Sequence, residues 1–318
     1  MPLKNWNIVY KKTLSLDKDI LITAILCLPD LDVIATGNNC GNITMWRMAN
    51  YKPIYSKSIH KSDISSLCYL NNGKTLFAGS SDGKISKVVF NIETNKFSYV
   101  LSDKVEGTVI GLCSYSDGGN LLSGMNNMIV YWDIESCRFL RDFEITETAI
   151  TSLFFCNKMK LVLVGTQDSK IKFFNPVDQK INFVIDGAHD FTPVYSLATC
   201  FHPETGLTLC SIGEDKKLKF WNVENYNKTE KKKNYYSLIK TELFNNTILK
   251  VGSCYDYKTV LLVFDTGIFT LFNLETGEQK EFSNKDKKVA FSNGAYVGDG
   301  KNFVFVASEG TLDFYGLK

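Results

Sequence analysis

The sequence is poor in arginine, and this scarcity excludes several kinds of partner. Three arginines, Arg47, Arg138 and Arg141, stand among 36 basic residues, so lysine carries nearly all of the positive charge. Arginine supplies the bidentate fork that grips phosphate groups and base edges, and lysine does not. The 34 acidic residues bring the net charge to +2. A nearly neutral, arginine-poor chain argues against nucleic acid as the main partner and against phosphopeptide recognition.

Long apolar runs and closely spaced cysteines are also missing. No stretch approaches the roughly 18 consecutive apolar residues of a membrane helix, and MPLKNWNIVYKK at the start lacks the apolar core of a signal peptide. The nine cysteines form no C-x-x-C pair of the kind that a zinc site favours. We expect an intracellular protein that does not insert into a membrane and binds no metal or cofactor. The cytoplasm is the favoured location, and the nucleus and the cytoskeleton are alternatives. The cysteines should be small buried apolar side chains.

One pattern recurs seven times along the chain. The pattern is a turn with glycine or aspartate, an alternating strand, an aromatic residue, and then a polar and an aliphatic residue, as in GNITMWRM and KKLKFWNV. The aromatic residues recur every 42 to 51 residues. They are Trp46, Phe90, Trp132, Phe174, Trp221, Phe272 and Tyr315. Repetition at this period predicts a fold built from one small repeated unit.

Each period contains four short apolar-alternating runs, which predict four strands. In the second period these are ISSLCYL, KTLFAGS, KISKVVFNI and KFSYVL, separated by the turn formers NNG, SDG and ETN. The first runs of three periods align Cys27, Cys68 and Cys113 in one position, where later copies have Phe154 and Ala198. A position that accepts cysteine, phenylalanine and alanine indicates packing and not chemistry.

This pattern resembles the WD-repeat family of β-propellers over essentially the whole chain. The Trp-Asp dipeptide that gives the family its name appears once, as Trp132-Asp133. The resemblance implies an all-β fold in which residues 1–318 form a single domain, a seven-bladed β-propeller with four-stranded antiparallel blades. The last copy contains only three strands, so we expect residues 5–15 to supply the outer strand of blade seven and to close the ring.

The resemblance also implies a buried Asp–His–Ser–Trp network in the blades, and the sequence predicts that every copy of it is incomplete. The members identified are His60, Ser80 and Asp82 in the second copy, Thr166 and Asp168 in the fourth, and His189, Asp215 and Trp221 in the fifth. The departures from the family pattern predict a divergent member and leave the fold intact.

The apparent catalytic motifs in the sequence lack the structural setting or the spacing that catalysis requires. GSSDG, with Ser81 at its centre, matches G-x-S-x-G, but a strand and not a helix follows the turn. The three histidines, His60, His189 and His202, have neither metal-site nor triad spacing. No phosphate-binding P-loop or dinucleotide-binding glycine motif is present. We therefore expect no enzymatic activity.

The resemblance implies a scaffold that binds proteins through its turns, because loops vary without disturbing the blades. The turns between second and third strands offer candidate contacts on one face of the propeller. They are Asn39, Ser81, Gln167, Glu214 and Asp265. Ordinary turn chemistry explains the same residues equally well. Their polar to acidic character favours a partner segment that contains lysine or arginine.

Several alternatives stay open at this stage. The leading hypothesis is a scaffold subunit of a larger complex, for example a ribosome-associated one; others are a cytoskeletal or ciliary (axonemal) propeller and a ubiquitin-ligase substrate receptor. The last is disfavoured because Glu135 and Glu224 stand where a Trp-Asp-x-Arg motif requires arginine. The lysine-rich stretch 228–233, within the insertion 224–236, is either a solvated loop or a basic contact loop.

Overall fold

The structure, a computed structural model, is an all-β propeller. It describes residues 8–17, 19–70, 74–94, 96–115, 120–202, 204–224, 236–253, 258–283, 291–297, 302–307 and 310–317. One short 3-10 turn, Pro29–Leu31, is the only helical element named among these residues. The described residues contain no helix that could span a membrane.

Six four-stranded antiparallel sheets each use four consecutive strands. Sheet 1 contains β2 (Ile22–Leu28), β3 (Val33–Asn38), β4 (Asn42–Arg47) and β5 (Lys52–Ser58). Sheet 2 contains β6 (Ile64–Leu70), β7 (Thr75–Ser80), β8 (Ile85–Asn91) and β9 (Lys96–Leu101). Sheet 3 contains β10 (Val109–Tyr115), β11 (Asn120–Met125), β12 (Met128–Trp132) and β13 (Phe139–Glu144). Sheet 4 contains β14 (Ile150–Cys156), β15 (Leu161–Thr166), β16 (Ile171–Asn175) and β17 (Lys180–Ile185). Sheet 5 contains β18 (Val194–His202), β19 (Gly206–Gly213), β20 (Lys217–Asn222) and β21 (Ser237–Leu243). Sheet 6 contains β22 (Ile248–Ser253), β23 (Thr259–Phe264), β24 (Ile268–Asn273) and β25 (Gln279–Ser283).

A further four-stranded sheet joins the two ends of the chain. Its order is β1 (Ile8–Ser15), β28 (Thr311–Leu317), β27 (Asn302–Ala307) and β26 (Phe291–Val297). β1 pairs antiparallel with β28, as the sequence predicts for the segment 5–15, of which residues 5–7 lie outside the described residues. The first strand of each sheet contacts the first strand of the next, and β26 contacts β2. The innermost strands therefore surround a central channel.

Burial across each sheet explains the apolar patterns. The second strands, such as VIATGN, TLFAGS and LVLVGT, are buried along their whole length because neighbouring sheets cover both of their faces. The outermost strands, such as FLRDFE and SLIKTEL, are largely exposed. The second strand of each sheet therefore has a continuous apolar sequence, whereas the outermost strand mixes polar and apolar residues.

Glycines let neighbouring sheets approach closely at the centre. A Cβ atom on Gly111 would lie 2.8 Å from the Cβ atom of Leu153 in the next sheet. A Cβ atom on Gly37 would lie even closer to Ile64. No side chain fits at these two positions without moving the next sheet, so the glycines set the spacing around the ring.

The aromatic residues of the repeat lie at the interfaces between sheets. Five of them pair with the second residue of β3, β11, β15, β23 or β27. Trp221 pairs with Leu209, the fourth residue of β19, which begins two residues earlier than the other second strands do. Phe90 departs from this register, because Val88 pairs with Leu76 at the equivalent place and Phe90 follows two residues later. Both side chains point to the same side and pack against sheet 1. Because the third strand of sheet 2 is longer, its aromatic residue lies two residues further along the strand and still points to the same side of the sheet.

The first strands share a bulge that shows how their cysteines align. Every innermost strand changes register at its second residue. Counted from that bulge, Leu26 is the equivalent of Cys68 and Cys113, and Cys27 lies one residue further. The predicted common position of Cys27 is therefore wrong. A shift of one residue reverses the face, and Cys27 packs towards the last sheet.

Candidate functional site

The five turn residues proposed from sequence occupy one repeated backbone position. In each, the backbone N–H donates to a carbonyl just before the first strand of the same sheet. The pairs are Asn39 with Leu21, Ser81 with Asp63, Gln167 with Ala149, Glu214 with Pro193, and Asp265 with Thr247. These turns and the loops that enter the first strands form one end of the propeller, which we call the top face.

The five side chains differ in exposure. Gln167, Glu214 and Asp265 are exposed, whereas Asn39 and Ser81 are half-buried. Asn39 Nδ2 donates to the Asp19 carbonyl at 3.0 Å, and Ser81 Oγ donates to the Asp63 carboxylate at 2.9 Å. Asn39 and Ser81 therefore hold their own loops together. Gln167, Glu214 and Asp265 are the ones accessible to a partner.

The top face is more acidic than the chain as a whole. Its described carboxylates outnumber its lysines. The acidic residues are Asp17, Asp19, Asp63, Asp82, Asp103, Glu106, Glu147, Asp168, Asp186, Asp190, Glu214, Asp215 and Asp265, and the lysines are Lys61, Lys84, Lys104, Lys170, Lys216 and Lys217. Lys217 pairs with Asp190. Because the whole chain carries +2, this surface concentrates negative charge at one end.

One exposed aromatic residue on the top face is missed by sequence reasoning. Phe191, in the loop before β18, is 89% exposed. Asp190 and Phe191 both have positive φ, at 47° and 64°, and the Thr192 N–H donates to the His189 carbonyl at 2.7 Å. Left-handed backbone costs a phenylalanine about 1 kcal/mol. An exposed aromatic residue on strained backbone is typical of a binding site.

The polar network of sheet 5 is complete, so the prediction that every copy is incomplete is wrong. His189 Nδ1 lies 2.8 Å from Asp215 Oδ1, and His189 Nε2 lies 2.8 Å from Ser211 Oγ. Trp221 Nε1 donates to the same Ser211 Oγ at 2.9 Å. The serine comes from the middle of β19, where hydrogen-bond register and not sequence proximity brings it to the histidine.

Sheet 2 uses a different serine from the one predicted. His60 Nδ1 lies 3.2 Å from Asp82 Oδ1, but His60 Nε2 meets Ser86 Oγ at 2.9 Å. Ser80 Oγ instead accepts from the Asp82 N–H at 3.1 Å. Ala78 occupies the position equivalent to Ser211, so the hydroxyl comes from the neighbouring strand.

In sheet 4 a threonine takes the place of the missing histidine. Asp168 Oδ1 accepts from Thr166 Oγ1 at 2.6 Å and from Thr148 Oγ1 at 2.7 Å. Lys170 also pairs with the other carboxylate oxygen at 2.8 Å. Burial raises the pKa of Asp168, but the hydrogen bonds from Lys170, Thr166 and Thr148 outweigh it and hold the pKa well below its usual range.

Ser211, His189 and Asp215 have the connectivity of a catalytic triad without its access. A nucleophilic serine must reach a substrate carbonyl. Ser211 Oγ is fully buried and already receives the indole N–H of Trp221, and the His189 side chain has no exposed surface. The three groups stabilise the blade. Among the described residues, His, Cys, Asp and Glu side chains form no cluster of three that could hold a metal ion.

The buried His60 predicts a pH dependence of stability. Burial lowers the pKa of His60 below 6.5, against the opposing effect of Asp82. The unfolded chain therefore takes up a proton before the folded one does as the pH falls through about 6.5. We expect the free energy of unfolding to decrease between pH 7.5 and pH 5.5, and His60→Gln to reduce that decrease. Urea denaturation across this range measures both, and an unchanged slope in the variant would contradict the assignment.

Most described cysteines are unreactive packing residues. Cys113, Cys137, Cys156, Cys200 and Cys210 are buried and free. Burial raises the pKa of the Cys137 thiol to about 11. Cys40 departs from the expected burial, because it lies exposed in a turn of the top face. The lysine-rich stretch 228–233 lies outside the described residues.

Comparisons with known proteins agree with this geometry. The family model "WD domain, G-beta repeat" matches residues 181–222, and the model "Anaphase-promoting complex subunit 4 WD40 domain" matches residues 25–104. WD repeat-containing protein 55 of Bos taurus is 27% identical over 221 residues, 65% of this chain and 55% of the relative. The anaphase-promoting complex subunit cdc20 of Dictyostelium discoideum is 30% identical over 167 residues, 50% of this chain and 33% of the relative.

The repeat, the propeller and these matches define the class. The chain is similar to the WD-repeat family, whose members are typically non-catalytic and generally serve as scaffolds for protein interactions. It is distantly similar to WD repeat-containing protein 55 and to cdc20. The chain spans about half the length, or less, of these curated relatives.

Proposed function

We propose that this protein is a non-catalytic scaffold, a subunit of a larger complex, that binds a basic protein segment on its top face. The observation that carries the proposal is the acidic surface of the top face around Gln167, Glu214 and Asp265, with Phe191 exposed in an adjacent loop. Carboxylates at the rim of an interface attract lysine and arginine, and a protruding aromatic residue supplies apolar contact area.

The proposal includes a closed ring of seven blades. The sheet β1-β28-β27-β26 serves as the seventh blade, with its outer strand supplied by residues 8–15. Pairing the two ends of the chain in one sheet leaves no open seam, so the top face is held rigid by the whole ring. Rigid loops lose less entropy when a partner binds, which favours this surface as a docking platform.

The names of two matches favour membership of a multisubunit complex. One family model describes an anaphase-promoting complex subunit, and one relative is named as a subunit of the same complex. We propose the same kind of role for this chain, as one subunit among several. The alternative functions, a ribosome-associated scaffold, a cytoskeletal propeller and a ubiquitin-ligase substrate receptor, stay predictions.

Charge reversal tests the acidic surface. Glu214→Lys combined with Asp265→Lys should reduce the recovery of direct protein partners by about tenfold, equivalent to roughly 1.4 kcal/mol. The measurement is quantitative mass spectrometry of proteins that co-purify with the tagged chain from its native cells. Glu93→Lys with Glu204→Lys is the matched control, because it changes the net charge equally in exposed turns at the opposite end. Equal recovery from both double variants would refute the proposal.

A further inference from the structure

The central channel is the cavity that the top-face proposal leaves unused. Its volume is about 380 Å³, and the innermost strands β2, β6, β10, β14, β18 and β22 line it. The residue that follows the bulge in each of these strands occupies an equivalent place on the wall. These residues are Ala24, Ser66, Gly111, Ser152, Ser196 and Lys250. Five are small, and the sixth is a lysine.

Lys250 places a positive charge in an enclosed space. Its side chain is exposed to the channel, but the ring of strands surrounds it, and this burial within the protein lowers the pKa of its ammonium group. Among the described residues that line the channel, it is the one charged side chain, and none is a carboxylate. Apart from Lys250, the one described lining residue with a titratable side chain is Tyr195, through its phenolic hydroxyl.

Two nearby hydroxyl groups are committed elsewhere, whereas Ser66 Oγ has no hydrogen-bond partner among the described residues. Ser65 Oγ donates to the Val109 carbonyl, and Thr151 Oγ1 donates to the Val194 carbonyl at 2.6 Å. These bonds join each sheet to the next. The ammonium group of Lys250 is therefore the charged donor that the channel wall offers to an occupant.

We propose that the channel binds a carboxylate group through Lys250. One ammonium balances one negative charge, so a monoanionic carboxylate fits, whereas a phosphate dianion would bring a second charge into an enclosed site without a partner. The carboxylate comes either from a small free acid or from the end of a partner chain that enters the channel. This proposal does not depend on the top-face proposal, because the two use different residues.

Calorimetric titration with butyrate, a monoanionic carboxylate, at constant ionic strength tests the site. The wild-type protein should bind butyrate saturably, and Lys250→Met should weaken binding by about tenfold or more, because a charge-assisted hydrogen bond is lost. Lys57→Met is the matched control, since Lys57 is exposed on the outer strand β5, and it should bind as the wild type does. Equal affinity in Lys250→Met and wild type would overturn the proposal, as would the absence of saturable binding.

A second measurement keeps the test independent of the folding of the variant. In wild-type protein labelled with 13C at lysine Cε, butyrate should shift one lysine signal more than all others, and that signal should be missing in Lys250→Gln. Small, equal shifts of many lysine signals would overturn the site. Saturable binding of inorganic phosphate without binding of butyrate would overturn the choice of carboxylate.

Two peptides distinguish the sources of the carboxylate. Hexaglycine with a free C-terminus should outcompete butyrate if the natural occupant is a chain terminus, and the amidated hexaglycine should not bind. If butyrate binds and neither peptide competes, the occupant is a small free acid. Binding of both peptides alike would contradict recognition of a carboxylate.

Discussion

Deletion of residues 8–15 is expected to lower the free energy of unfolding by about 4 kcal/mol or more. β1 supplies the outer strand of the sheet that holds both ends of the chain, and its loss removes the β28 ladder, with each hydrogen bond worth roughly 1 kcal/mol. Thr13 also donates to the fully buried Asp313, and Tyr10 packs edge-on against Tyr315. Urea denaturation of the truncated and full chains measures the loss.

A peptide added in trans shows whether pairing causes the loss. The synthetic strand IVYKKTLS should raise the melting temperature of the truncated protein, and a scrambled peptide of the same composition should not. A truncated chain as stable as the full one would contradict the closure of the ring by β1. Equal effects of both peptides would show that the β28 edge is not the docking site.

Ser211→Ala is expected to cost about 3 kcal/mol, the second largest effect. Ser211 Oγ is the shared partner of His189 Nε2 and Trp221 Nε1, and all three groups are buried. Removing the hydroxyl leaves two buried polar groups without a partner, and each such group costs about 1–3 kcal/mol. Urea denaturation at pH 7.5 gives the difference in unfolding free energy.

Ser123→Ala is the matched control for this network. Ser123 occupies the equivalent position in sheet 3, where Trp132 Nε1 donates to its hydroxyl at 2.9 Å. Removing it leaves one buried donor instead of two, so its loss should be about half as large. Equal losses in the two variants would show that His189 does not depend on Ser211.

The sequence predicts the repeat and the propeller because the same apolar alternation recurs at a period of one blade. It does not predict which strand supplies a hydroxyl to a buried histidine. Ser211 and Ser86 reach His189 and His60 through hydrogen-bond register across a sheet, which linear spacing does not contain. The offset of Cys27 is hidden for the same reason, since Leu26-Cys27 and Leu67-Cys68 look alike in sequence but lie one residue apart when counted from the bulge that their strands share.

The candidate site was predictable only in part. The sequence predicts that Glu214 and Asp265 occupy equivalent turns, because both precede a third strand of the repeat. In the structure both residues have the same backbone hydrogen bond. The exposure of Phe191 does not follow from sequence, because an aromatic residue in a loop is more often buried than displayed. Its left-handed backbone depends on the tight turn around His189, which only the three-dimensional structure reveals.

Photo-crosslinking on the top face tests the central claim most directly. A benzophenone amino acid replaces Phe191 on the top face in one variant and Val177, 70% exposed in a turn at the opposite end, in another. Irradiation in the native cells followed by mass spectrometry identifies the attached proteins. The account predicts a discrete protein adduct from position 191, at a lysine-rich or arginine-rich segment, and none from position 177. Adducts from position 177 alone, or from neither position, would contradict the top face as the binding surface.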